Sequence, residues 1–391
     1  MQFPFINNSK KIVAIFDVGS DSIGVAIVQY LSPNDPPKIL KSFREEIMFR
    51  EQLDFMIFMD DMVKTLKSVA LNVASSGVGA ISDVHIVLSS PWYVSENRHI
   101  VVSEKTPFVF TEKISDNLVK NEIEKLKKIH HEKYGGNLDD FNIIEQEIVQ
   151  ISLNGYPVTN PIGKKALSAE MNLIVILSSS TCMNLVKDCI SSVFHHVDTY
   201  FHSNMSALFI VIREKYMKMD SYLILDLGGE ITDVFIVDGG IPKNIISFPY
   251  GRQNLYRDLK KELIKNRAEV MSLFSLYLDG SLEESQKIKM EKALNNIQRS
   301  WAREFELALM SIPEPRMIPN SVFLVMNKDV HPMFFQMFAE KNDFIYKIFK
   351  NECNVLGLNG PDFLGLCRVD DGMCDPMLMI QALSVKRKYI K

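Results

Sequence analysis

Two segments of the chain carry the same arrangement of chemically active residues. Each is an apolar run that ends in an aspartate, followed by a glycine-centred turn with hydroxyl residues and by a second apolar run; they cover residues 12–28 and 222–235. This pattern predicts a β-hairpin with a carboxylate at the entrance of its turn. One such hairpin is common, but two copies about half a chain apart indicate a repeated unit whose two turns face one ligand.

Both turns are suited to bind phosphate. Gly19 and the pair Gly228–Gly229 can adopt positive φ, so the backbone can turn sharply with its N–H groups pointing outward. Consecutive N–H groups form a concavity that binds anions. Further hydroxyl donors come from Ser20, Ser22 and Thr232.

Asp17 and Asp226 stand at the entrances of the turns, where a bare phosphate would be repelled. A Mg²⁺ ion that bridges phosphate oxygens, mostly through its waters, gives these carboxylates a role. For either hairpin alone the simpler interpretation stays open, namely that the aspartate caps its own turn.

Length and composition exclude several classes of protein. A chain of 391 residues predicts two or more subdomains, and 47% hydrophobic with 24% charged residues is typical of a globular protein. A net charge of −4 gives no electrostatic case for nucleic acid. With no signal peptide, no apolar run near the ~20 residues of a spanning helix and no C-x-x-C pair, we expect a cytoplasmic protein with reduced thiols. The cysteines are Cys182, Cys189, Cys353, Cys367 and Cys374.

The order of predicted elements indicates an α/β fold. Strands and helices alternate in two series, which predicts two lobes, each with a mixed sheet flanked by helices and with a ligand in the cleft between them. A small α+β module with a hairpin at Asn154–Gly155 interrupts the first series. We predict a first lobe from residues 1–84 and 166–220, an inserted domain at 85–165, and a second lobe with a C-terminal tail at 221–391. No regular period is found after about residue 351.

The motifs resemble those of the superfamily of actin, hexokinase and heat-shock chaperone ATPases. Residues 17–23 (DVGSDSI) resemble its phosphate 1 motif D-I-G-T-x-S-x, and residues 226–233 (DLGGEITD) its phosphate 2 motif D-x-G-G-G-T-x-D. Residues 154–163 resemble the N-G-Y…N-P-x-G stretch at the exit of the SHS2-type inserted domain of FtsA. Residues 247–255 (SFPYGRQNL) resemble the P-x-G-G-x-x-I/L that follows phosphate 2. Over residues 12–265 the chain is similar to FtsA-like and PilM-like proteins.

The resemblance implies that ATP and Mg²⁺ bind between the lobes. Asp17 and Asp226 would orient the metal, mainly through water. No catalytic residue is assigned; Asp17, Asp226 and His202 are candidates, and we predict slow hydrolysis or none because residues 202–206 lack the Gln or Glu that positions water in relatives. The nucleotide-binding residues implied are Asp17, Gly19, Ser20, Asp21, Ser22, Asp226, Gly228, Gly229, Glu230, Thr232 and Gly251.

Two features depart from the family pattern. Glu230 stands where phosphate 2 usually has glycine. The late strand at residues 321–326 continues as Asn327-Lys-Asp-Val, without the glycine pair that lets the backbone approach a purine. A scaffold that keeps the fold but binds no nucleotide is therefore one interpretation.

Three functions remain open. The first is an FtsA-like scaffold in bacterial cell division, which binds ATP, assembles into filaments or dimers, and links a tubulin-like division protein to the inner membrane face. The second is a PilM-like adaptor of type IV pilus assembly that binds a peptide of a membrane protein. The third is the degenerate scaffold. A lipid contact would use the basic tail, with Lys386, Arg387, Lys388 and Lys391.

Overall fold

The structure is a computed structural model that describes residues 11–134, 140–312, 318–340, 343–370 and 375–389. Within these ranges the strands are β1 (Lys11–Val18), β2 (Ser22–Tyr30), β3 (Lys38–Glu46), β4 (Asp83–Leu88), β5 (Val94–Val109), β6 (Phe141–Leu153), β7 (Tyr156–Pro157), β8 (Lys165–Ser179), β9 (Asp198–Ser203), β10 (Tyr222–Leu227), β11 (Thr232–Asp238), β12 (Ile241–Phe248), β13 (Ser321–Met326), β14 (Asn354–Gly357) and β15 (Arg368–Val369). The helices are α1 (Phe55–Ala74), α2 (Glu112–Tyr134), α3 (Ser180–Ser191), α4 (Asn204–Lys215), α5 (Arg252–Leu263), α6 (Arg267–Leu278), α7 (Glu284–Met310), α8 (His331–Ala339), α9 (Asp343–Phe349) and α10 (Pro376–Tyr389).

Two of the three sheets repeat one arrangement. In the first, with the order β15-β3-β2-β1-β4-β9, the central strand β1 is antiparallel to β2 and parallel to β4. In the second, with the order β12-β11-β10-β13-β14, β10 is antiparallel to β11 and parallel to β13. The mixed α/β fold with helix-flanked sheets is confirmed, and the repeat seen in the sequence is a repeat of topology.

The repeat places the two aspartates at equivalent positions. Asp17 lies opposite Gly24 near the end of β1, and Asp226 lies opposite Asp233 near the end of β10. Each aspartate is therefore at the carboxyl end of a central, buried strand. This is the edge at which α/β sheets bring ligand-binding groups together.

The third sheet, with the order β5-β8-β6-β7, forms a small module with α2. Its own apolar core includes Phe110, Leu126 and Val175. The predicted hairpin at Asn154–Gly155 is present, with φ of 51° and 82° at the two positions. The two predicted boundaries of this domain, residues 85 and 165, lie in strands. Residue 85 lies within β4, and residue 165 is the first residue of β8, which continues the small sheet to Ser179. The division into domains stays a prediction.

The last part of the chain returns to the first lobe. The sequence predicts no regular spacing of apolar residues in this part. Among the described residues from 354 to 389, β14 pairs with β13 in the sheet of the second lobe, and a 3₁₀ turn at Gly360–Phe363, β15 and α10 follow. β15 pairs with β3, and the Tyr30 hydroxyl donates to the Ala382 carbonyl of α10 (2.7 Å). The segment 221–391 thus contributes to both lobes. None of the helices in the described ranges has the length and apolar content to cross a membrane.

The basic tail lies at the end of α10. Arg387 forms an ion pair with Glu214, and Lys388 forms one with Glu145. Ile390 and Lys391, like Cys374, lie outside the described residues. The predicted lipid contact is not tested by these pairs and stays a prediction.

Candidate functional site

The two predicted phosphate turns meet between the lobes. The Ser20 hydroxyl accepts a hydrogen bond from the Glu230 N–H (2.9 Å). A Cβ atom at Gly229 would lie 2.5 Å from the Cβ of Asp21 and 2.6 Å from its backbone nitrogen. Glycine is therefore required at position 229, because the two turns are in direct backbone contact there.

Beside this contact lies a cleft with a volume of about 560 Å³. One wall is apolar and includes Met271, Phe274 and Leu278 of α6. The other wall contains eight of the eleven predicted nucleotide-binding residues, so the structure brings most of the predicted site together. These eight are Asp17, Gly19, Ser20, Asp21, Ser22, Asp226, Gly228 and Gly229.

The other three, Glu230, Thr232 and Gly251, do not line the cleft. The buried carboxylate of Glu230 accepts two hydrogen bonds of 2.7 Å from Arg257. The Thr232 hydroxyl donates to the Tyr250 carbonyl. Gly251 packs under the phosphate 2 turn, where a Cβ atom would lie 2.6 Å from the Gly228 carbonyl oxygen. The charge of Glu230 is thus turned away from the cleft and paired with Arg257.

His202 is also placed elsewhere. It is buried in β9, and its Nε2 lies 2.9 Å from Nδ1 of His85. Burial, with smaller contributions from His85 and Lys388, lowers the pKa of His202 well below its usual range. Asn204, two residues later, does reach the cleft and donates to Asp226 (2.8 Å).

Asp17 is fully engaged by side chains of this chain. Its carboxylate accepts from Arg44 Nη2 and from Gln381 Nε2, both at 2.7 Å. The same guanidinium donates to Ser22 (3.0 Å) and to Asp375 (2.8 Å). Burial raises the pKa of Asp17, and Arg44 opposes that rise. A cation therefore does stand beside Asp17, but it is an arginine.

Among the described residues, no cation forms an ion pair with Asp226. Burial, and then the neighbouring carboxylate of Asp233, raise the pKa of Asp226 well above its usual range, while the Asn204 amide opposes the rise. Asp233 itself accepts hydrogen bonds from Ser90 (2.9 Å), Tyr93 (3.2 Å) and Ser247. The ionised form of Asp226 is thus disfavoured in this arrangement by burial and by the neighbouring carboxylate.

Asp21 is held from the other lobe. It accepts from Arg252 Nη1 (2.9 Å) and from Asn327 Nδ2 (3.1 Å). Arg252 also donates to Asp329 through Nε and Nη2, both at 2.8 Å. The sequence analysis assigns no role to Arg44, Arg252 or Gln381. A signal existed for Arg252, because it occupies the position of the second glycine in the P-x-G-G pattern.

These residues do not fit magnesium ATP. Three of the N–H groups in the two turns that a phosphate would need are used internally: Gly19 donates to the Ser22 carbonyl (3.1 Å), Gly228 to the Ile231 carbonyl (3.0 Å) and Glu230 to Ser20. At the N-terminus of α5, Arg252 and Gln253 donate to the carbonyls of the phosphate 2 turn. The described residues also contain no group of three or more His, Cys, Asp or Glu side chains arranged to hold a metal ion. No role of this protein is therefore derived from bound magnesium ATP.

Comparison with known proteins identifies the fold. No family model and no curated protein sequence matches the chain. Among solved structures, that of a PilM–PilN type IV pilus biogenesis complex matches with a TM-score of 0.61 over 97% of this chain and 98% of that chain, at 10% identity. The protein has an actin-like ATPase fold. At this identity the match describes the fold and not the partner, so it does not separate FtsA-like from PilM-like proteins.

Two further solved structures match with lower scores. One is a protein of unknown function with an actin-like ATPase fold from Bacteroides thetaiotaomicron, at 11% identity, a TM-score of 0.41 and coverage of 98% and 99% of the two chains. The other is the ethanolamine utilization protein EutJ from Carboxydothermus hydrogenoformans, at 7% identity, a TM-score of 0.43 and coverage of 96% and 89%.

Proposed function

We propose that this actin-fold protein is an assembly scaffold that binds a short extended peptide of a partner protein. The observation that carries the proposal is a groove of about 270 Å³ between the small module and the two lobes. We call it the edge groove. It is lined by Ile144, Glu145, Gln146, Glu147, Ile174, Ile176, Phe201, Ser206, Phe209, Phe235, Pro242, Ile245, Lys388 and Tyr389.

Two edge strands border the edge groove. β12 is the outer strand of its sheet. β6 pairs with β8 along its length, but β7 covers its other side only at Ser152 and Leu153. Within the described residues, the earlier part of β6 therefore has one edge without a strand partner. Such an edge binds an extended peptide through main-chain hydrogen bonds.

The chemistry of the lining defines the peptide. The floor is apolar and includes Phe209, Phe235 and Ile176, which accept aliphatic or aromatic side chains. At the rim, Glu145 is engaged by Ser203 and Lys388, whereas the exposed Glu147 forms no ion pair with another described residue. The groove thus fits an apolar segment that carries one basic residue opposite Glu147.

The matching PilM structure supports this proposal, because it is the structure of a complex with PilN. By analogy the partner would be a membrane protein of a pilus-type assembly, and the scaffold would act at the inner face of the cytoplasmic membrane. The proposal requires no ATP binding or hydrolysis, in keeping with the poor fit of the cleft to magnesium ATP.

The second candidate is an FtsA-like scaffold in cell division, which self-associates and binds a tubulin-like protein. The observation behind it is the small module between β4 and β9, which the sequence resemblance implies for FtsA-like and for PilM-like proteins. In that role the basic end of α10 would contact lipid.

Peptide binding tests the first candidate. Peptides covering the cytosolic segments of membrane proteins encoded beside this gene are labelled and titrated with the purified protein by fluorescence anisotropy. We expect an apolar, basic peptide to bind, and Ile144→Lys to weaken binding at least about tenfold, because a charge would enter an apolar groove. Ile148→Lys is the matched control, since Ile148 is on the same strand but does not line the edge groove.

A second variant tests the charge. Glu147→Lys should weaken the binding of the same peptide. A peptide in which the basic residue is replaced by an acidic one should bind the Glu147→Lys variant again. Equal binding by wild type and Ile144→Lys would refute the edge groove as the site. Binding of the tubulin-like division protein, with no binding of any peptide, would favour the second candidate.

A further inference from the structure

Arg252, Asp21, Asn327 and Asp329 form a polar network across the cleft, which we call the lobe lock. Asp21 belongs to the phosphate 1 turn of the first lobe, and the other three residues belong to the second lobe. Arg252 bridges the two carboxylates, and Asn327 adds a second donor to Asp21. The Tyr256 hydroxyl donates to Asp329. The guanidinium carbon of Arg252 lies over the Tyr256 ring, 5.4 Å from the ring centroid. The network therefore connects the lobes without any additional group.

The position of Arg252 in the chain explains how its side chain reaches Asp21 in the lobe lock. It is the first residue of α5, directly after Gly251, whose lack of a side chain allows the helix to start against the phosphate 2 turn. From there the guanidinium enters the cleft at the height of the phosphate 1 turn. The side chains of Arg252 and Asp21 are only 11% and 8% exposed.

Three residues that depart from the family pattern belong together, whereas Glu230 is paired with Arg257 outside the lobe lock. Arg252 replaces a patterned glycine, and Asn327 and Asp329 occupy the segment where a glycine pair is expected. These three residues contact one another or the same carboxylate, Asp21. The residues at these positions therefore form one connected network.

We propose that the lobe lock holds the two lobes closed in place of a magnesium nucleotide, with Arg252 supplying the positive charge and Asp21 the negative charge. Closure is then a permanent property of the chain. A buried pair of this kind is weakly screened by salt, and removing one partner leaves a buried charge without compensation.

A double-mutant cycle with Asp21→Asn and Arg252→Gln tests the proposal through the unfolding equilibrium. Each single variant should lower the unfolding midpoint, and the double variant should lose less than the sum, with a coupling of about tenfold in the equilibrium constant. Lys265→Gln and Glu269→Gln, at an exposed ion pair between the residue before the N-cap of α6 and its first turn, are the matched control and should show little coupling.

Small-angle X-ray scattering measures closure directly and does not depend on activity. The radius of gyration of the wild type should be the same with and without millimolar Mg·ATP, and Arg252→Gln should expand the molecule at unchanged secondary structure. Additive effects in the cycle would overturn the proposal. So would compaction or thermal stabilisation of the wild type by Mg·ATP, which would show that a nucleotide performs the closure.

Discussion

At the scale of single residues, three buried aspartates of the cleft differ in how their charge is compensated. Asp17 is paired with Arg44, and Asp21 is paired with Arg252. Asp226 accepts a hydrogen bond from the neutral Asn204, and Asp233 lies beside it. Burial of a charge is unfavourable unless a partner compensates it. Asp226 is therefore the aspartate of the three whose ionised form is least compensated.

This difference predicts the effect of Asp226→Asn. A carboxyl group whose pKa is raised by folding stabilises the protein fully below its unfolded pKa, and this contribution is lost as the pH rises through the folded pKa. Each unit by which folding raises the pKa corresponds to about 1.4 kcal/mol in the free energy of unfolding. The variant should thus unfold at a higher temperature than the wild type at pH 7–8, and the difference should shrink toward acid pH. Thermal unfolding followed by circular dichroism at several pH values measures this.

Asp188→Asn, at an exposed position of α3, is the control and should change the midpoint little at any of these pH values. A lower midpoint for Asp226→Asn at pH 8 would contradict the prediction. It would mean that the ionised carboxylate stabilises the native state, as a metal ligand does when its cation is bound.

The turn residues were predictable from the sequence, but their partners were not. Asp17, Gly19, Gly228 and Gly229 follow from a local pattern of apolar runs and turn residues. Arg44 lies 27 positions from Asp17, and Arg252 lies 231 positions from Asp21. These side chains reach their partners only after the sheets and lobes are assembled. A local sequence pattern therefore does not predict which residues they pair with.

At the scale of elements, α10 was the part least accessible to prediction. Its sequence places an apolar half before a basic half, which resembles a surface tail. In the fold its apolar half is enclosed by the first lobe, with Leu378, Met379 and Ile380 at most 1% exposed. Because the segment is buried on several sides, it lacks the one-sided stripe that identifies a helix in a sequence. Gln381, on the same helix, donates to Asp17.

We expect Leu378→Ala to destabilise the protein by about 2–5 kcal/mol, because it leaves a cavity in the first lobe. Arg387→Gln, which removes an exposed ion pair at the end of the same helix, should cost less than about 1 kcal/mol. Urea unfolding of both variants gives the comparison. Similar small losses for both would show that α10 is only loosely attached and that its packing in the first lobe is not a feature of the protein in solution.

At the scale of the whole molecule, the buried apolar residues in the described ranges group into three cores. One surrounds the sheet of the first lobe with α1, α3 and α10 and continues onto residues of the second-lobe sheet, such as Tyr222 and Phe323, and onto Ile174 and Ile176 of β8. A second lies in the other lobe, and the third belongs to the small module. The third is the smallest and includes Ile100, Phe110 and Leu173. Since local unfolding follows the density of buried contacts, we infer that the module opens more readily than the lobes.

Hydrogen exchange with mass spectrometry tests this order with Phe110→Ala, which removes the largest fully buried side chain of the small core. The change should destabilise the module by about 3–5 kcal/mol and speed exchange in residues 94–179, while the lobes stay protected. Phe305→Ala, in the core of the second lobe, is the matched control and should act on that lobe first. Uniform acceleration by Phe110→Ala would mean that module and lobes unfold as one unit. Selective acceleration would also predict weaker peptide binding in the edge groove, because β6, one border of that groove, belongs to the module.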